Sequence, residues 1–158
     1  MKKIHLLLFL FVPFFSIAQN VGIGTTTPEG KLHIKGSTDT SQLTIDANAT
    51  QTNNHPLIRL RNAAGVDLLH INSDNIENVF IGLNAGRANN QAGGALYNTF
   101  IGTRSGLSNI SGFFNTGIGS ETLIFNTTGD YNTAIGASTL HGNISGEWNT
   151  ASGYGALA

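Results

Sequence analysis

Asn98-Thr99-Phe100-Ile101-Gly102 is one of five copies of a short sequence motif that recurs through the second half of the chain. The other copies are Asn78-Val79-Phe80-Ile81-Gly82, Asn115-Thr116-Gly117-Ile118-Gly119, Asn132-Thr133-Ala134-Ile135-Gly136 and Asn149-Thr150-Ala151-Ser152-Gly153. From Asn98 onward the copies are 17 residues apart, and the first gap is 20, which is one period plus a three-residue insertion. Such self-similarity is typical of chains that stack one unit on the next. We therefore predict an all-β parallel β-roll, or β-solenoid, of 17-residue coils over residues 78–158.

Each coil carries further repeated residues, which we number from the repeated asparagine as position one. Position twelve is Asn109, Asn126 and Asn143; position fifteen is Gly112, Gly129 and Gly146; position seventeen is Tyr97, Phe114, Tyr131 and Trp148. Coils should stack at the strand spacing of about 4.8 Å, which places like residues above one another. We expect the glycines of positions five and fifteen at turns, and we expect the asparagines to form hydrogen-bonded ladders.

Side-chain alternation assigns the repeated residues to two faces of a strand. Positions seventeen, two and four share one face, and positions one, three and five share the other. Both faces include apolar or small residues, a pattern typical of a strand covered on both sides. We predict one buried column of Ile101, Ile118 and Ile135. A thin coil has one interior, so the other face should meet a partner, and another copy of the same chain is the simplest one.

The composition excludes several classes of function. Only 11% of the residues are charged and the net charge is −1, which argues against electrostatic binding to nucleic acid or anionic lipid. The absence of cysteine excludes disulfides, thiolate metal sites and a lipid-anchored N-terminal cysteine.

The first residues have the pattern of a secretory signal peptide, residues 1–18. Lys2 and Lys3 precede an apolar run, and small residues before Gln19 predict cleavage between Ala18 and Gln19. The run is shorter than the roughly twenty residues of a spanning helix. We therefore predict a protein that is secreted or displayed at the cell surface.

Residues 19–77 are predicted to form a small β-hairpin region. Asn20 to Ile34 should be a strand, a Thr-Pro turn and a strand, and a hairpin should surround residues 62–65. Gly24 to Lys31 resembles a phosphate loop, but its glycine spacing is one residue too long and Leu32 replaces the Ser or Thr. Nucleotide binding is not predicted.

Two histidines, His33 and His70, each lie in a Leu-His-Ile triplet. A metal site would need a third ligand at a fixed spacing, and none is visible. We expect both histidines to face solvent. No catalytic, cofactor-binding or metal-binding residue is predicted, and no cofactor, nucleic acid or small-molecule substrate is expected.

The repeated coils resemble the heads of trimeric autotransporter adhesins, the YadA-like parallel β-roll. The opening stretch from Asn20 to Ile34 resembles secreted tail-fibre-like proteins of Bacteroidetes-type bacteria. The resemblance implies an extracellular, non-enzymatic fibre or adhesin head, a homotrimer, and a glycan or matrix component as ligand. The fifth copy stops at position ten, and we expect the native protein to continue through further coils into a trimerising segment.

Two alternative functions remain open from the sequence. A glycan-cleaving solenoid enzyme would need paired carboxylates, and Asp130 and Glu147 occupy position sixteen of neighbouring coils. An ice-binding solenoid would use a column of threonines, which are Thr99, Thr116, Thr133 and Thr150. Hydrolysis of polysaccharides would identify the first function and thermal hysteresis the second.

Overall fold

The computed structural model describes residues 20–23, 25–36, 43–45, 55–72 and 77–158. They belong to two compact units, which divide between Ile45 and Asp46. The predicted signal peptide lies outside the described residues. Within the described residues there is no apolar helix of membrane-spanning length.

The first unit is a two-stranded parallel sheet. Strand β1 (Val21–Ile23) pairs with β2 (Leu32–Ile34), so that Val21 lies opposite Leu32 and Ile23 opposite Ile34. The N–H of Val21 donates to the carbonyl of Lys31 at 2.7 Å, and the N–H of Lys35 donates to Ile23 at 2.8 Å. The two predicted strands are therefore confirmed, but this pair is not a hairpin because its strands run in the same direction. Residues 43–45 form no strand.

The second unit begins with the predicted hairpin. Strand β3 (Ile58–Arg61) pairs antiparallel with β4 (Asp67–Asn72). In the turn, the Asn62 side-chain carbonyl accepts from the N–H groups of Ala64 at 3.0 Å and Val66 at 2.9 Å, and Gly65 has φ +77°. A side-chain acceptor and a glycine at positive φ are the features that make this five-residue connection a turn.

The five copies of the repeat form a parallel sheet, as predicted. Its strands are β5 (Val79–Ile81), β6 (Thr99–Ile101), β7 (Thr116–Ile118), β8 (Thr133–Ile135) and β9 (Thr150–Ser152). Identical repeat positions pair, for example Thr99 with Thr116 and Thr116 with Thr133. The three-residue insertion forms a 3₁₀ helix (Gln91–Gly93) and leaves this register intact. The fold is a β-solenoid with coils of about 17 residues.

The hairpin covers one edge of the solenoid sheet. Strand β4 pairs antiparallel with β5, with Ile71 opposite Ile81 and Asn72 opposite Phe80. An open strand edge presents unpaired backbone groups that invite further pairing. The hairpin therefore belongs to the same sheet as the coils and closes the stack at β5.

Two asparagine ladders run through the interior and confirm that prediction. At position one, each side-chain oxygen accepts the N–H of the next asparagine, at 2.9 Å from Asn98 to Asn115 and 2.9 Å from Asn115 to Asn132. At position twelve, the Asn126 amide donates to the Asn109 side chain at 3.0 Å, and the Asn143 amide to Asn126 at 2.8 Å. Burying amides without partners would be costly, so the ladders are what makes a polar interior stable.

The glycine columns lie where the prediction placed them, at tight turns. A Cβ on Gly119 (φ +137°) would lie 2.6 Å from the carbonyl carbon of Gly136 in the next coil. A Cβ on Gly129 would lie 2.3 Å from the carbonyl oxygen of Gly146. Neighbouring coils therefore approach so closely at these two corners that a side chain does not fit.

The apolar core consists of complementary residues at positions three and nine. The buried rings of Phe80 and Phe100 stack 5.7 Å apart, and a Cβ on the position-nine residue Gly106 would lie 2.4 Å from the Phe100 ring. In the fourth coil the sizes are exchanged, because Ala134 faces the buried Leu140. A small side chain at position three is thus compensated by a large one at position nine.

The predicted burial of the isoleucine column is wrong. Ile101, Ile118 and Ile135 do form one column in register, but their side chains lie on the outside of the sheet, and Ile118 and Ile135 are 38% and 45% exposed. The interior face is the one that carries positions one and three, where asparagines and the Phe, Gly or Ala residues fill the narrow coil. Ile118→Asp is therefore not expected to prevent folding.

Candidate interaction surface

Three columns of repeated residues run along the outside of the stack, two on the strands and one just before them. The aromatic column is Tyr97, Phe114, Tyr131 and Trp148; the threonine column is Thr99, Thr116, Thr133 and Thr150; the isoleucine column is Ile81, Ile101, Ile118 and Ile135. Val79 and Ser152 complete the threonine and isoleucine columns in the first and last coils. We refer to these three columns together as the outer face.

Every residue of the aromatic column has a left-handed backbone, with φ between +53° and +60°. This conformation costs an L-residue roughly 1–2 kcal/mol. The cost is offset locally, because the N–H of Phe114 donates to Leu96 and that of Tyr131 to Phe113, both at 3.0 Å. Bulky residues in this region are rare outliers, and such outliers concentrate at functional sites.

The four rings stack face to face. Their centroids are 4.4, 5.2 and 3.9 Å apart from Tyr97 to Trp148, and successive planes differ by 4–8°. The rings are nevertheless 36–70% exposed. Because neighbouring rings cover each other's faces, the column presents mainly ring edges to the outside. A sugar that binds by stacking on a ring face would therefore find few free faces here.

Glu77 lies at one end of the aromatic column. A hydrogen bond to the Glu77 carboxylate raises the pKa of the Tyr97 hydroxyl, and the negative charge of Glu77 acts in the same direction. Glu77 is the residue that precedes Asn78, so it takes the place of the aromatic in the first coil.

The outer face is a large apolar patch. Four rings at 36–70% exposure and three aliphatic residues (Val79, Ile118 and Ile135) at 38–45% add up to about 500 Å² of exposed apolar surface. The largest patch on a typical monomer is about 300–600 Å² and is often functional. This patch is therefore near the upper end of the normal range, on a chain with only 11% charged residues.

The position-sixteen carboxylates are not arranged as an acid and base pair for glycoside cleavage. Asp130 is half-buried, and its Oδ1 accepts the N–H of Phe113 at 2.9 Å, whereas Glu147 is exposed. A general acid for this chemistry needs a protonated carboxyl group, which burial in an apolar site provides. Neither carboxylate has that environment.

His33 and His70 were both expected to face solvent, and His70 does not. The Nδ1 of His33 accepts the N–H of Glu29 at 3.2 Å. The side chain of His70 is only 16% exposed and its Nε2 lies 3.2 Å from Asp67 Oδ2, so the prediction that it faces solvent is wrong. The hairpin packs it against a charged cluster. Among the residues that the structure describes, no three His, Asp or Glu side chains form a metal-binding group.

Asp67 is the centre of that charged cluster on the hairpin. Arg61 Nε lies 2.7 Å and Arg59 Nε 3.6 Å from Asp67 Oδ1. The hydrogen bond from Arg61, with smaller contributions from His70 and Arg59, lowers the pKa of the Asp67 carboxyl group. This cluster was not predicted from the sequence, although the alternation of Arg59 and Arg61 on β3 was a usable signal.

A second surface feature lies away from the outer face. An open depression of about 460 Å³ is lined by Arg87, Ala88, Leu107, Ser108, Ile110 and Thr127. Thr127 Oγ1 donates to the Ile144 carbonyl at 3.0 Å, so this hydroxyl is already used within the fold.

No protein-family model, no curated protein and no solved structure matches this chain.

Proposed function

We propose that the chain is the head of an extracellular, non-enzymatic fibre with a structural or adhesive role, assembled from three copies. The observation that carries the proposal is the repetition of the same outward residues in register from coil to coil. Repetition multiplies a weak contact, because each further contact forms at a high effective concentration once the first is made.

The extracellular location rests on the pattern of residues 1–18. Expression of the whole chain in a host with a secretory pathway tests it, with mass spectrometry of the exported protein. A mature N-terminus at Gln19 is expected. Retention of the uncleaved chain inside the cell would contradict the proposed location.

The adhesive role is tested by immobilising the exported protein on beads at two surface densities. Binding to panels of glycans and matrix proteins should rise more steeply than the density, since a fibre head binds through many weak contacts. Adhesion is refuted if no panel member binds above beads that carry an unrelated protein; a purely structural role would then remain. Release of reducing sugar from those glycans would instead favour an enzyme.

An ice-binding role is the second candidate, because the threonine column faces outward at a regular strand spacing. Its hydroxyl groups are flanked by taller aromatic and isoleucine columns, which does not favour the flat hydroxyl array that ice contact requires. Measurable thermal hysteresis, abolished by Thr116→Tyr, would support this second candidate over the fibre head.

A further inference from the structure

We propose that the charged cluster on the hairpin binds the carboxylate or sulfate group of an acidic polysaccharide. The cluster consists of Arg59, Arg61, Asp67 and His70. The proposal rests on the proposed function, since it names a class of glycan that an adhesive fibre head would bind. It goes further by assigning the site and the chemistry of the ligand.

A β-bulge brings the charged side chains to one face of the hairpin. Arg59 and Arg61 share a face of β3, because side chains alternate along a strand. Arg59 lies opposite His70. The register then shifts, so that Arg61 pairs with Asp67 and not with Leu68. Without this shift Asp67 would lie on the other face; bulges commonly re-aim a side chain in this way and are over-represented next to active sites.

Asp67 holds the two guanidinium groups close together. Its Oδ1 lies 2.7 Å from Arg61 Nε and 3.6 Å from Arg59 Nε, so both groups surround a single oxygen atom. His70 Nε2 lies 3.2 Å from the other oxygen, Oδ2. The hydrogen bond from Arg61 lowers the pKa of Asp67, so the carboxylate is ionised at neutral pH and keeps the arginines in place.

Both arginines have hydrogen-bond donors beyond the contact with Asp67. Each approaches the carboxylate through Nε, whereas a guanidinium has five N–H groups. The side chains of Arg59 and Arg61 are 36% and 48% exposed. Within the described part of the chain, no second carboxylate lies within ion-pair distance of either arginine. The terminal nitrogens of the pair can therefore reach one oxyanion from solvent, in the fork geometry that suits such groups.

The charge balance favours an acidic ligand at this place. The cluster has two permanent positive charges and one negative charge, whereas Arg104 in the solenoid has Glu121 to itself. Nucleic acid or an anionic membrane would need a longer basic patch than a chain of net charge −1 offers. An acidic polysaccharide instead presents single oxyanions at intervals, and a fibre head with several copies can bind several of them.

The position of the cluster suggests a second role, which the experiment must separate from binding. Strand β3 is the outermost strand of the sheet in the part of the chain that the structure describes. Charged side chains on an edge strand discourage pairing with other chains, and lysine is especially common there. Protection of an edge therefore needs positive charge, but it does not need the guanidinium fork.

Dextran, carboxymethyl-dextran and dextran sulfate test the proposal, because they share one backbone and differ in the charged group. We expect the exported protein to bind one or both charged forms and not dextran, and to bind more weakly as the salt concentration rises. Arg59→Gln/Arg61→Gln should lower the affinity at least about tenfold, since two charge-assisted contacts are lost. The charged form that binds identifies the group as carboxylate or sulfate.

Two further double variants control for charge and for folding. Arg87→Gln/Arg104→Gln removes the same net charge from exposed arginines outside the hairpin, and its affinity should stay within about twofold of the wild type. Arg59→Lys/Arg61→Lys keeps the charge but not the fork, and should lower the affinity at least about fivefold. The lysine variant also tests the site if the glutamine variant does not fold, which circular dichroism decides.

The outcomes separate this inference from the proposed function. Weaker binding by the hairpin variants, but not by the control, supports the inference. It is overturned if the wild type binds neither charged dextran, if the control loses as much affinity, or if the lysine variant binds fully; the arginines then protect an edge strand. Such a result leaves the fibre head standing if neutral glycans or matrix proteins still bind. A chain that binds charged dextran but is never exported would contradict the fibre head and leave the inference intact.

Discussion

Positions three and nine exchange large and small side chains between coils, which predicts that the residue pair of one coil can replace the pair of another. Phe100 is fully buried, and a Cβ on Gly106 would lie 2.4 Å from its ring. The fourth coil holds Ala134 and Leu140 at the same two positions, and both are buried. We predict that the double variant Phe100→Ala/Gly106→Leu folds, although each single change is strongly destabilising.

The magnitudes follow from the packing. Phe100→Ala removes a buried ring and should cost about 3–5 kcal/mol. Gly106→Leu alone overpacks the core, at about 1–3 kcal/mol, and places leucine at φ +58°, at a further cost of about 1–2 kcal/mol. Independent effects would therefore sum to about 5–10 kcal/mol. When leucine fills the space left by the ring, mainly the backbone cost remains, and we expect a coupling of at least about 3 kcal/mol.

Urea unfolding followed by circular dichroism measures the free energy of unfolding for the four members of this cycle. Phe80→Ala combined with Gly106→Leu is the matched control, because it removes the same ring from the neighbouring coil. The complementarity argument is refuted if the Phe100 double variant falls within about 0.5 kcal/mol of the additive value, as distant sites do. It is equally refuted if the control variant is rescued to the same extent.

Three further predictions concern the ladders, the glycine corners and the hairpin. Asn115→Ala should destabilise the stack by about 2–5 kcal/mol in urea, because the buried N–H of Asn132 loses its acceptor and the carbonyl of Gly129 keeps only the Asn126 amide of its two side-chain donors. A loss below about 1 kcal/mol would make the ladder dispensable. Gly119→Ala should lower the melting temperature far more than Gly153→Ala. Both glycines have positive φ, but only a Cβ at Gly119 would collide with the next coil. Equal melting temperatures of the two variants would contradict this steric explanation. Acidification should loosen β3 and β4, because the pKa of Asp67 is lower in the folded chain than its ordinary value of 3.8. The ionised carboxylate therefore stabilises the fold above about pH 3.8, and this stabilisation is lost as the pH falls through the lowered pKa. Hydrogen exchange of the hairpin amides measures this loss, and an identical pH dependence in Asp67→Asn would rule Asp67 out.

The 17-residue period of the sequence was sufficient to predict the stacked coils, the register of their strands, and the columns of asparagine and glycine. Pairing of Thr99 with Thr116 follows from the 17-residue spacing, and the asparagine ladders follow from placing like residues above one another. Local turn chemistry was sufficient for the hairpin, because Asn62 and Gly65 are specific to such a connection. The parallel pairing of β1 with β2 was not predictable in the same way, since strand direction depends on the path of residues 24–31 and not on the alternation within either strand.

Which face of the repeated strand lies inside was the harder question, and hydrophobicity gave the wrong answer. Isoleucine at position four is more apolar than asparagine at position one, so partition between water and an apolar core favours the isoleucine inside. That argument holds for a core wide enough to bury side chains away from the backbone. In a thin coil the interior is bordered everywhere by peptide groups, and a side chain that bonds to the backbone above it, as Asn115 bonds to Gly129, suits such an interior better.

The sequence did contain a signal for the correct face. Position three varies from Phe100 to Gly117 and Ala134, while position nine varies in the opposite sense, from Gly106 to Leu123 and Leu140. Two positions that keep their combined volume while exchanging bulk share one packed space, since interiors are close-packed and a surface has no such constraint. Positions two and four show no such exchange, and their side chains lie outside. In a solenoid the coils of one chain therefore serve as an internal comparison, and compensating volumes identify the core where hydrophobicity alone does not.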